Sequence, residues 1–118
     1  KFIQVNNLTK LEKILLEAKQ NKKPVLIDFF AQWCIACTEM DGTSFIDLEV
    51  INMLKNYIIV RADITADDQD SKMLKNRFNV LAPPTLIFIK PDGSVNSECL
   101  VTGYIAHEAL AKLLHSCK

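Results

Sequence analysis

Cys34 and Cys37, in the stretch "FFAQWCIACTEM", offer the side chains best suited to covalent chemistry. Two thiols at this spacing serve one of three ends: half of a metal site, a pair of buried apolar groups, or a dithiol that cycles with a disulfide. A zinc site wants four ligands, commonly as closely spaced pairs. Cys99, Cys117, His107 and His115 lie far along the chain and form no second cysteine pair, so no metal is expected. A structural apolar pair suits a mid-strand or mid-helix position. These cysteines instead fall where the apolar run "PVLIDFF" gives way to a helical pattern. Unpaired N–H groups at a helix start stabilise a thiolate. Cys34 therefore reads as the attacking thiol. Cys37, nearly one turn further and more sheltered, reads as the resolving thiol that closes a short disulfide. That disulfide is itself the redox group, and no other cofactor is expected.

Two carboxylates bear on this chemistry. Asp28 interrupts an otherwise apolar strand six residues before Cys34. A buried carboxylate costs several kcal/mol unless it is paired or neutralised, so its pKa is expected to rise. Beneath the helix near Cys37, it is placed to take a proton from the resolving thiol or return one. Asp41 lies seven residues after Cys34, two turns along the same helix. Both acids oppose a second negative charge nearby and raise the Cys34 pKa against the pull of the helix terminus. Ile35 and Ala36 place no cation between the thiols, and Thr38 adds none. A less stabilised thiolate makes a stronger reductant, which fits an electron donor.

The elements needed to hold these groups follow from hydrophobic periodicity. "FIQV", "PVLIDFF", "YIIVRADI" and "PTLIFI" read as strands, and a last strand is expected around Cys99 to Thr102. Helical patterns run from Leu8 to Lys19, from about Cys34 to near Gly42, from Asp47 through Leu54, over "ADDQDSKMLKNRF", and from Ala106 to Ser116. Thr9 with Glu12 forms a candidate capping box, with Asn7 as the competing cap. Alternating strands and helices predict an α/β class, and residues 1–118 contain no linker, repeat or low-complexity segment. One domain is expected.

Composition excludes several partners. The 14 basic and 14 acidic residues balance and form no basic stripe, so nucleic acid is not an expected partner. No apolar run approaches the roughly 18 residues of a membrane span, so this piece is not expected to insert directly into a bilayer. The start lacks the apolar core of a signal peptide.

The residues also carry a resemblance. "VLIDFFAQWCIAC", with Asp28 six residues before the first cysteine, resembles the thioredoxins, and so does "APPT" at residues 82–85. The resemblance implies a thioredoxin fold: a central mixed sheet flanked by helices, with an N-terminal strand–helix extension. It also implies a cis bond at Pro84 facing the cysteine pair, with Pro83 as the competing candidate. A cis-proline exposes nearby backbone to which an extended substrate can pair as an added strand. Candidate substrate-contacting residues are Trp33, Ile35, Ala36, Pro83 and Pro84. For Trp33, ordinary core packing is an equal alternative.

"KPVLIDFFAQWCIACTEM", "VRADITADDQD", "FNVLAPPTLIFI" and "VTGY" are similar to one branch, the C-terminal periplasmic domains of DsbD-type thiol:disulfide interchange proteins. The similarity runs from about Phe2 to Leu114. It implies a monomeric disulfide reductase domain, cut from a bacterial inner-membrane protein and located in the periplasm. Its expected partners are a membrane-embedded domain that supplies electrons and an N-terminal periplasmic domain that accepts them. Asp41 stands where that family often has Glu, Thr38 where a charged residue is frequent, and Cys99 and Cys117 fall outside its pattern.

Two other readings remain open. A free-standing thioredoxin is disfavoured by "CIAC", which replaces the usual Cys-Gly-Pro-Cys. A non-redox binding module is disfavoured by the joint presence of both cysteines, Asp28 and the proline. Cys99 and Cys117 are expected as free thiols. With Cys99 on a strand and Cys117 on a helix one layer away, a separation near 10 Å exceeds the roughly 7 Å Cα limit for a bridge unless the chain end bends inward.

Overall fold

The computed structural model describes residues 1–118. Five strands form one sheet: β1 (Ile3–Val5), β2 (Val25–Phe30), β3 (Ile58–Asp63), β4 (Thr85–Ile89) and β5 (Val101–Thr102). Their order is β1-β3-β2-β4-β5. β3 runs parallel to both β1 and β2, while β4 runs antiparallel to β2 and β5. The expected mixed sheet is present, and the N-terminal strand forms one of its edges.

β2 lies at the centre and is buried on both faces, which accounts for its unbroken apolar run. Val25, Ile27 and Phe29 enter one core layer with Leu11 and Ala18 of α1 (Leu8–Gln20) and Leu74 of α4 (Gln69–Arg77). Leu26 enters the other layer with Val50 and Leu54 of α3 (Leu48–Leu54) and Leu110 and Leu114 of α5 (His107–Ser116). This two-sided burial is the period-two alternation of a strand expressed in packing. The short α2 (Ile35–Asp41) contributes to both layers, with Cys37 in the first and Met40 in the second. No helix is long and apolar enough to cross a membrane.

Helix starts follow side-chain caps. Asn7 rather than Thr9 caps α1, accepting a hydrogen bond from the Lys10 N–H at 2.9 Å. Asp47 and Asp68 cap α3 and α4 in the same way.

The expectation of free thiols at Cys99 and Cys117 is corrected: the two form a disulfide, with Cα atoms 6.2 Å apart. The strand near them is shorter than expected, and Ser97–Cys99 turn as a single 3-10 helix before β5. Cys99 is therefore outside the sheet, and the interlayer spacing does not apply to it. Cys117 sits at the C-cap of α5, where the chain leaves the helix. Both cysteines are buried in the layer that holds Val101, Leu110 and Leu114.

Candidate active site

The chain leaves β2 at Phe30, turns through Ala31 to Trp33 and enters α2 with Cys34 as N-cap. An N-cap is extended while its side chain accepts from the first turn, and a thiol is an unusual acceptor there. Cys34 Sγ accepts a hydrogen bond from the Cys37 N–H at 3.2 Å. The Cys34–Cys37 disulfide spans Cα atoms 5.3 Å apart. Both cysteines are buried, Cys34 at 7% exposure and Cys37 at 3%, the order the helix-start geometry predicts. Around them in the chain, Trp33 and Ile35 project into solvent with 61% and 76% exposure, while Ala36 is half-buried. Trp33 is therefore a surface residue beside the site and not core.

Thr85 begins β4 opposite Phe29, so the loop before it lies at the end of the sheet from which Cys34 departs. The Pro83–Pro84 bond is cis, as expected, with Pro84 buried and Pro83 half-buried. The Pro84 carbonyl accepts from the Gly103 N–H at 2.8 Å, and Thr85 Oγ1 donates to the Ala82 carbonyl at 2.7 Å. This loop forms one wall of a groove of about 760 Å³, whose apolar lining includes Leu81, Val95 and Leu100.

Asp28 and Arg61 are direct partners in the β2–β3 register. Arg61 Nε and Nη2 donate to Asp28 Oδ2 at 3.2 and 2.8 Å. The same guanidinium donates from Nη1 and Nη2 to Asp41 Oδ2 and Oδ1, at 3.0 and 2.6 Å. Its flat faces meet the rings of Phe2 and Phe30, with Cζ 4.5 and 4.1 Å from their centroids. The sequence reading placed both acids at the site but missed Arg61. The cluster ties β2, β3, α2 and the residue just before β1 together at one point.

Burial pushes the Asp28 carboxyl up to about 6, and the Arg61 charge and hydrogen bonds only partly oppose it. Asp41 adds a smaller upward push. For Arg61, burial acts to lower the pKa, but the hydrogen bonds and charges of Asp41 and Asp28 together win and raise it. The cluster therefore carries a net charge between zero and −1 near neutrality. Its repulsion of a thiolate is weaker than that of two bare carboxylates. Asp41 stands roughly 10 Å along the axis of α2 from Cys34, at about 1.5 Å per residue.

These features coincide with a known family. Residues 6–91, most of the chain, match the thioredoxin-like family. The chain belongs to it. Among curated relatives, this thioredoxin-like chain is 38% identical over 105 residues to the thiol:disulfide interchange protein DsbD of Vibrio vulnificus (strain CMCP6). That match covers 88% of the chain and 18% of the relative. It is 34% identical over 110 residues to DsbD of Escherichia coli (strain K12), covering 93% of the chain and 19% of that protein. The chain thus spans under a fifth of the length of these relatives. In three dimensions it is similar to the DsbD C-terminal domain of Neisseria meningitidis in the oxidised form. The TM-score is 0.84 at 22% identity, covering 98% of this chain and 100% of that one. The reduced form of that domain gives 0.80 at the same identity, covering 97% and 100%. At this identity the likeness establishes the thioredoxin fold.

Proposed function

We propose that this chain is a thiol:disulfide oxidoreductase domain acting as a disulfide reductase. The observation that carries this reading is the Cys34–Cys37 disulfide at the first turn of α2, with Cys34 Sγ already facing a backbone N–H. In the reduced protein that N–H stabilises the Cys34 thiolate. The thiolate attacks one sulfur of a partner disulfide, and the partner's other sulfur leaves as a thiolate that takes up a proton. The Cys37 thiol then loses its proton and attacks Cys34 Sγ. This breaks the mixed disulfide, releases the second partner thiol and regenerates the Cys34–Cys37 bridge. Two electrons and two protons pass to the partner, and a dithiol donor must restore them. Trp33, Ile35, Ala36 and the Pro83–Pro84 loop supply the surface on which the partner segment rests.

The curated relatives further support a place within a larger interchange protein, with other domains of that protein as donor and acceptor. On this reading the domain is periplasmic and belongs to an inner-membrane protein. Electrons enter from a membrane-embedded dithiol and leave to a periplasmic disulfide.

Trapping tests the order of attack. Cys37→Ser is expected to accumulate a mixed disulfide with an added disulfide peptide, and Cys34→Ser to accumulate none. If Cys37 alone reacts with alkylating agents in the reduced wild type, the assignment is reversed. Asp28 is proposed to hold the Cys34 pKa up and to move a proton at Cys37. Asp28→Asn removes one negative charge and leaves Arg61 less neutralised, so the thiolate titration is expected to shift to lower pH. An unchanged absorbance titration removes Asp28 from the exchange.

A further inference from the structure

The turn that delivers Cys34 is held by a segment 32 residues further along the chain. Thr65 stands just past β3, in the "ITADD" stretch, and binds this turn through two different atoms. Its Oγ1 accepts a hydrogen bond from the Gln32 N–H at 2.9 Å. Its backbone carbonyl accepts one from the Trp33 indole Nε1 at 3.1 Å. The Thr65 hydroxyl has its own proton fixed, because it donates to Asp63 Oδ1. The same carboxylate oxygen accepts the Thr65 N–H at 2.9 Å. Asp63 is itself set by the sheet as the last residue of β3, opposite Phe30, the last residue of β2.

The direction of these bonds matters. A hydroxyl rotor can point its lone pair at the Gln32 N–H only if its proton goes elsewhere, and Asp63 takes that proton. The bracket is therefore a four-residue chain of hydrogen bonds from Asp63 at the β3 end, through Thr65, to Gln32 and Trp33, the two residues that precede Cys34. Only Ala31, Gln32 and Trp33 lie between β2 and the attacking cysteine, and two of these three are tied to Thr65. The other restraints are local: Ala31 is fully buried in the core, and the Cys34 N–H donates to its carbonyl at 3.1 Å. Trp33 is 61% exposed, so packing alone does not fix its ring. Its indole bond to Thr65 does.

We infer that Thr65 and Asp63 are positioning residues for thiol–disulfide exchange, holding the Gln32–Trp33 turn so that Cys34 Sγ meets the partner disulfide in line. This rests on the reductase reading above. Exchange requires three sulfurs close to a line, and misplacement of reacting atoms by about 1 Å can cost up to roughly 100-fold in rate.

Trp33 is the only tryptophan of the chain, so its fluorescence reads this turn directly. Thr65→Val keeps the shape and removes the hydroxyl, whereas Thr65→Ser keeps the hydroxyl. Reduced wild-type protein and both variants are mixed with 5,5′-dithiobis(2-nitrobenzoate), and the rate constant of release of the coloured thiol is measured. Trp33 emission and anisotropy are recorded on the same samples, and thermal unfolding confirms that each is folded. Thr65→Val is expected to slow exchange roughly tenfold, shift Trp33 emission to the red and lower its anisotropy. Thr65→Ser is expected to stay within about twofold of wild type. Asp63→Ala supplies a second route to the same loss without touching Thr65. The inference is overturned if folded Thr65→Val and Asp63→Ala exchange at the wild-type rate, or if the rate falls while Trp33 fluorescence stays as in wild type. A wild-type chain no faster than free cysteine sinks the reductase reading instead, a result separate from either variant outcome.

Discussion

Replacing Arg61 by leucine is expected to destabilise the protein by about 3–5 kcal/mol at pH 8, and by less at pH 5. The guanidinium is buried at 8% exposure, and its removal strands Asp28, which is exposed to only 2%. Removing one partner of a buried ion pair costs more than the pair itself contributes, because the remaining charge has neither water nor counter-ion. The pH dependence separates this cause from lost packing against Phe2 and Phe30. Asp28 already has its folded pKa raised from 3.8 to about 6, chiefly by burial, with Arg61 pulling the other way. A carboxyl whose folded pKa is raised binds more protons in the folded state, so its contribution is most favourable below about pH 4 and is lost as pH climbs through the folded value. Without Arg61 that value moves higher still, and the loss extends to higher pH. Wild type and variant both carry neutral Asp28 near pH 4–5, so their difference is smallest there and widest at pH 8. Urea unfolding at the two pH values decides this. A difference equal at both, or below about 1 kcal/mol at pH 8, would show that the cluster is not held by charge.

Arg61 also shows how far the sequence could be read. Asp28 is conspicuous as a carboxylate in an apolar strand, and a partner or a raised pKa follows from burial alone. Its partner lies in "YIIVRADI", an equally apolar strand broken by one cation, so the matching signal was present. What the sequence lacks is the register. Only when residue 28 pairs with residue 61 do both side chains share the face that Asp41 approaches, and a slip of one residue sends Arg61 to the opposite layer. The placement of Cys34 was legible for the opposite reason. It depends on a strand-to-helix transition that is local in the chain. The Thr65 bracket was not legible, because a hydroxyl bound to a backbone N–H 33 residues away leaves no periodicity or composition to detect. Cap selection at Asn7 over Thr9 lies between these cases: two local candidates were visible, and backbone geometry chose one.

The bridge between Cys99 and Cys117 is expected to contribute about 3 kcal/mol, as the chain-entropy account gives for a closed loop of this length. The bridged positions are 18 residues apart, and the loop between them includes β5 and all of α5. β5 contains only Val101 and Thr102, a pairing too short to hold an edge strand unaided. α5 packs its Leu110 and Leu114 on the same layer, and the bridge fastens its far end to the turn that precedes β5. Unfolding the wild type therefore leaves a cross-linked loop, whereas the double variant Cys99→Ala/Cys117→Ala regains that chain freedom. Its urea midpoint is expected to fall by the amount corresponding to about 3 kcal/mol, with the exchange rate of Cys34 unchanged. Strong reductant under denaturing conditions supplies the control. It should lower the stability of wild type by more than that of the double variant, in which only the four-residue ring of Cys34 and Cys37 remains to be opened. Opening that small ring releases about 2 kcal/mol of loop entropy by the same relation. If the double variant unfolds within about 1 kcal/mol of wild type, the bridge adds little that α5 packing does not already supply. If its Cys34 exchange rate also drops, the two disulfides are coupled rather than separate.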